Sequence, residues 1–162
     1  MEPRMAICSR QCSRGFTYVG LLFVIATLAV LSAVASNVWS IVQRRDREAE
    51  LIFVGNQFRN AIAEYYEVSP GSLRRFPEKL EDLLLDDRLV IPMRHLRRLY
   101  KDPTTGQPKW GTIISDDGGI MGVYSLSSLK PIKKSDFAEA NKEFAGKARY
   151  SDWEFVYRPA NK

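Results

Sequence analysis

The chain has 162 residues, room for about one domain. Apolar residues make up 45% and charged residues 27%, a balance that excludes wholesale disorder. The formal net charge is +5, but Arg4, Arg10 and Arg14 against Glu2 place +2 of it before residue 15, leaving +3 for the rest, so no nucleic-acid partner is implied.

Residues 1–15, MEPRMAICSRQCSRG, are short, basic and without apolar periodicity, and read as a leader. Both cysteines, Cys8 and Cys12, lie here, with no His or Cys cluster elsewhere to complete a zinc site. Beyond Arg14 no disulfide is available, so the core must suffice. Residues 16–42, FTYVGLLFVIATLAVLSAVASNVWSIV, are 27 residues without a charge. As a helix they would rise about 40 Å, enough for a hydrocarbon core of about 30 Å. The sequence therefore predicts a transmembrane half-helix, with Trp39 as an interfacial anchor and the basic leader on the cytoplasmic side. Arg44, Arg45 and Arg47 count against that orientation, interspersed with Asp46, Glu48 and Glu50.

Nothing stops the helix at residue 42. In residues 43–67, Leu51, Val54, Phe58, Ala61, Ile62 and Tyr65 recur at the i, i+3, i+4, i+7 spacing of an amphipathic helix. Gly55 is an interruption costing about 1 kcal/mol, and Arg59 falls on a different side. The stripe ends at Glu67, before the breaker Ser69-Pro70-Gly71. One helix from Phe16 to Glu67 is expected, its second half requiring something to pack on.

Residues 68–162 are expected to form a globular head supplying that surface. Pro77 to Leu84 reads as a short helix with Pro at its start and acidic residues early. Pro92 to Tyr100 suggests another turn, and Asp102-Pro103-Thr104-Thr105-Gly106 is turn chemistry. Trp110 to Ser115 and Ile120 to Leu126 read as strands joined by the loop Asp116-Asp117-Gly118-Gly119. A helical turn is expected around Ala138 to Phe144. A last strand, Asp152 to Arg158, alternates Trp153, Phe155 and Tyr157 with Glu154, Val156 and Arg158. The fold class expected is α+β: a long N-terminal helix, transmembrane then amphipathic, packed on a small antiparallel β-sheet.

The junction Ser13-Arg14-Gly15-Phe16-Thr17-Tyr18-Val19-Gly20-Leu21-Leu22 resembles the leader junction of type IV pilins and of type II secretion pseudopilins. The segment Tyr100 to Gly106 with Trp110 is similar to the Asp-Pro turn of pseudopilin-like proteins. The resemblance implies a pilin-like fold and cleavage between Gly15 and Phe16 by a prepilin peptidase, which also methylates the amine of Phe16. It implies assembly through the apolar helix, with Phe16, Gly20, Leu21 and Leu22 in the assembling segment. The implied partners are other pilin or pseudopilin subunits, the peptidase, an inner-membrane assembly platform, and membrane lipid before assembly. The implied placement is single-pass in a bacterial inner membrane, N-terminus cytoplasmic and C-terminal domain periplasmic. The chain departs from the family at the fifth mature position, where Gly20 replaces the usual Glu. That loss removes a carboxylate able to pair with a neighbour's terminal amine, and points to a minor or tip subunit. Close helix packing is the other use of a glycine there.

Two non-pilin readings of the amino terminus stand beside this one. Ala33-Val34-Ala35 before Ser36 is an A-x-A site, which would release a periplasmic protein with an ordinary secretory signal; an uncleaved single-span accessory protein is the other. No enzyme is expected. His95, the only histidine, sits among arginines in Arg94-His95-Leu96-Arg97-Arg98 and reads as a surface or capping residue. No phosphate loop, nucleophile elbow or metal-ligand cluster is present, and no cofactor is expected. Asp116 and Asp117, with Asp136, read as a solvated hairpin tip, with calcium ligation as the alternative. Arg94, Arg97, Arg98 and Lys101 read as a solvated face or subunit contact.

Overall fold

The computed structural model describes residues 14–69 and 74–159, with the side chains of residues 14–17 and 33–38 left out. Residues 1–13 of the leader lie outside the described residues. The chain divides into two compact units, Met1–Val42 and Gln43–Lys162.

α1 runs from Arg14 to Glu67, 54 residues, as the absence of Pro and the near absence of Gly in that stretch lead one to expect. It is not the membrane-spanning element expected from residues 16–42. Among the described residues, no helix is long and apolar enough to cross a membrane. From Arg44 onward the helix carries Arg44, Arg45, Asp46, Arg47, Glu48 and Glu50. The fold class is corrected accordingly to α+β without a transmembrane half, and the single-pass inner-membrane placement, N-terminus in and head out, is corrected with it.

In the second unit the sheet has three strands in the order β1-β2-β3, all antiparallel: β1 is Gly111–Ile114, β2 is Ile120–Tyr124 and β3 is Glu154–Val156. Each is shorter than its sequence segment. β1 and β2 form the expected hairpin, with Gly118 at φ +84° in the connecting turn and an irregularity between Ile113 and Ile114. The remaining elements are short 3₁₀ turns at Leu80–Leu83, Glu139–Phe144 and Tyr150–Asp152. The expected turn from Pro92 to Tyr100 is instead an irregular return, pinned where Asp86 and Met93 exchange backbone hydrogen bonds of 2.8 and 3.1 Å.

All six residues of the amphipathic stripe, Leu51, Val54, Phe58, Ala61, Ile62 and Tyr65, are buried. They pack with Leu83, Leu96, Trp110, Val123, Trp153 and Phe155 in one core. Phe58 lies 5.3 Å from Trp110, ring centroid to centroid, and the Trp110 indole N–H donates to the Tyr100 carbonyl at 2.8 Å. Phe144 stacks on Trp153 at 5.2 Å with an interplanar angle of 5°, closing the core on the side of the Glu139–Phe144 turn. Of the expected alternation in the last strand, Trp153 and Phe155 are inside and Glu154 and Arg158 outside, while Val156 and Tyr157 are both half-buried.

Gly55 is no mere interruption. A Cβ there would lie 2.4 Å from three carbons of the Phe155 ring, so the missing side chain is what lets β3 approach α1.

Candidate functional site

The junction residues Gly15 and Phe16 are in the first turn of α1 by backbone, and their side chains are outside the description. Gly20, Leu21 and Leu22 follow on the same helix. Nothing lies within 4 Å of a Cβ built on Gly20, so no contact inside this chain calls for glycine there. Leu21 and Leu22 are exposed, and so are Tyr18, Val19, Phe23, Val24, Ile25, Leu28, Val30 and Leu31. The polar side chains in this stretch turn back on the helix. Thr27 donates to the Phe23 and Val24 carbonyls at 3.1 and 2.8 Å, and Ser32 donates to the Leu28 carbonyl at 2.8 Å. The result is a helical surface that offers neighbours almost nothing but hydrocarbon. Trp39 is also exposed.

In the second unit the polar chemistry is concentrated in buried carboxylates. Asp86, with its side chain 1% exposed, receives two bonds from the Arg88 guanidinium, at 2.8 and 2.7 Å. The same guanidinium donates to the Tyr65 carbonyl at 3.1 Å and the Ser69 hydroxyl at 3.0 Å, and lies 3.5 Å from the Tyr65 ring centre. Arg88 thereby satisfies a carbonyl of the last turn of α1, which has no partner within the helix. The guanidinium's hydrogen bonds hold the Asp86 carboxyl at about 2, against an ordinary 3.8, with burial pulling the other way.

His95 belongs to this cluster, against the expectation of a surface residue. Its side chain is fully buried, Nε2 3.3 Å from Asp86 Oδ2 and Nδ1 3.5 Å from Glu64 Oε2, with its ring edge-on to Tyr65. Asp102, also buried, accepts from the Thr104 amide at 2.8 Å, the Thr104 hydroxyl at 2.6 Å and the Ser125 hydroxyl at 2.7 Å. It ties the turn ending at Gly106, φ +73°, to the residue following β2. Glu48 is buried and accepts from the Lys133 amide at 2.9 Å.

Arg59, on a different side of the helix from the apolar stripe, is half-buried and donates to the Ala140 carbonyl, Asn56 and Asn141. Burial lowers its pKa. Each of these groups joins segments of the head. They are struts.

Asp116 and Asp117 are exposed at the hairpin turn, and Asp136 is exposed at φ 63°. Among the described residues, no group of three or more His, Cys, Asp or Glu is placed to hold a metal ion. Arg94, Arg97, Arg98 and Lys101 are exposed, with Arg98 5.0 Å over the Tyr100 ring. Sequence reasoning missed Asp86, Arg88, Asp102 and Glu48 as structural groups. The one available signal was Asp102 before Pro-Thr, the start of a side-chain-capped turn.

No family model, curated protein or solved structure matches this chain.

Proposed function

We propose that this protein is a structural subunit of pilin or pseudopilin type, matured between Gly15 and Phe16 and assembling with like subunits through the apolar half of α1. The observation that carries the reading is the helical surface from Tyr18 to Ser32, uncharged and exposed on every side in the isolated chain. Exposed apolar area of that extent marks an interaction surface. With the hydroxyls of Thr27 and Ser32 returned to the helix, the stretch is suited to packing against copies of itself. The open space at Gly20 fits the same use, since a neighbouring helix can approach the backbone there.

The test is maturation. Co-expressed with a prepilin peptidase, the chain is expected to yield a product whose first residue is N-methylated Phe16 by mass spectrometry. A bulky residue at position 15 should leave the precursor uncut. A product beginning at Ser36, or an intact Met1 chain, would overturn the reading.

A further inference from the structure

Two exposed features of the second unit remain without a role. One is a narrow apolar tip, the loop closed by the Asp86–Met93 pairing. Within it Val90 is fully exposed and Ile91 is 77% exposed, and Leu85 at its base is exposed too. The tip is firmly held, since Arg88 folds back onto Asp86, Tyr65 and Ser69. With Arg88 so engaged, the exposed charge of the loop is Asp87. The other feature is an open groove of about 480 Å³ lined by Arg45, Glu48, Ala49, Ile52, Ile132 and Lys133. Its apolar floor is Ala49, Ile52 and Ile132. Glu48 is turned to the Lys133 amide, so the exposed charges of the rim are Arg45 and Lys133.

We infer that the tip of one copy seats in the groove of the next. An apolar knob with an acidic flank meets an apolar groove with a basic rim, so shape, polarity and charge agree. The positions agree as well. The tip is tied to Tyr65 of α1 and to Ser69 just beyond its end, whereas the groove lies along Glu48 to Ile52. From Ile52 to Tyr65 the helix rises about 20 Å. Tip and groove therefore lie at opposite ends of the helical part of the head, and each copy offers one of each. Such a contact is heterologous and propagates as an open array rather than closing a dimer. The inference rests on the subunit reading above only in taking the partner to be another copy.

Disulfide mapping in the full chain, with Cys8 and Cys12 replaced by Ser, tests it. Differently tagged chains carrying Val90→Cys or Ala49→Cys are mixed and oxidised, and a third chain carries Leu28→Cys in the apolar half of α1. Both head positions are exposed, so neither substitution threatens the core. The expected result is a disulfide between Val90→Cys and Ala49→Cys chains, and a ladder when both lie on one chain. Adding Asp87→Lys should lower the yield about tenfold, and Lys133→Asp in the partner should restore it. Val90→Cys chains joining only one another, or Ala49→Cys joining only Leu28→Cys, would show other occupants and overturn the inference. If Leu28→Cys chains cross-link while the head pair does not, the head contact falls and the subunit reading survives. If the head pair forms and Leu28→Cys chains stay apart, the head contact stands and the proposed role of the apolar helix falls.

Discussion

Phe23 and Phe58 are the same side chain on the same helix, yet Phe23 is 72% exposed and Phe58 is fully buried. The difference is in the neighbours. Around Phe23 every position is uncharged, so no face is singled out for a sheet to cover. Around Phe58 the buried apolar residues Leu51, Val54, Ala61 and Ile62 keep to one side, with exposed Phe53 and Asn60 on others. Full burial of such a ring is worth about 1.5–3 kcal/mol. In the second half of α1 that gain is realised inside the chain. In the first half the described apolar side chains from Tyr18 to Leu31 stay exposed.

The largest effect should come from breaking this contrast at its two phenylalanines. Phe58→Asp is expected to destabilise the head by about 4 kcal/mol or more, through a lost ring and a buried carboxylate, seen as loss of protease resistance. Phe23→Asp should leave the head as stable as before and impair assembly. Equal loss of head stability in both variants would mean that the two halves do not differ as described.

A second effect concerns the polar cluster that fastens the end of α1. Because the Asp86 carboxyl is lowered to about 2 from 3.8, its contribution is complete above about pH 4 and is lost as pH falls through about 2. The loss should be roughly 2 kcal/mol, measured by urea unfolding at stepped pH. Asp86→Asn should flatten the dependence across that window. An unchanged slope would show that the Arg88 bonds do not set it.

The two glycines give the finest comparison. Gly55→Ala drives a methyl into the Phe155 ring, which is fully buried, and should cost about 1–2 kcal/mol by thermal unfolding despite the better helix propensity of Ala. Gly20→Ala meets open space and should stabilise its own helix slightly, by less than about 1 kcal/mol. Reversal of these two signs would remove the case that close approach belongs to Gly55 and not, within one chain, to Gly20.

These residues also show what could be read in advance. The stripe from Leu51 to Tyr65 was readable because a 3.6-residue period is a local property, and the hairpin because Asp-Asp-Gly-Gly separates two apolar runs. The buried carboxylates were not. Asp86 lies near Arg88 in the chain, but its burial depends on Tyr65 and His95, and Asp102 depends on Ser125, 23 residues away. His95 looked exposed because its neighbours in sequence are arginines, whereas its neighbours in space are Tyr65 and two carboxylates. Gly55 looked like a helix defect because Phe155, which needs the space, lies in the last strand. The membrane span is a separate correction: the expectation rested on counting uncharged residues, whereas among the described residues no helix is long and apolar enough to cross a membrane.

The contact between Gly55 and Phe155 also dictates a timetable. The two residues are 100 positions apart, so at about 5–20 residues per second the ring arrives about 5–20 s after the glycine has been synthesised. During that interval Leu51, Val54 and Phe58 lack part of their cover, and the nascent chain is apolar along both halves of α1. Such long-range closure is slow and prone to aggregation. A chain truncated before Glu154 is expected to remain in this state, read as protease sensitivity of a head whose other elements are all present. The last strand thus works as a completion signal: only a fully translated chain covers the second half of its helix and leaves the described apolar side chains of the first half exposed.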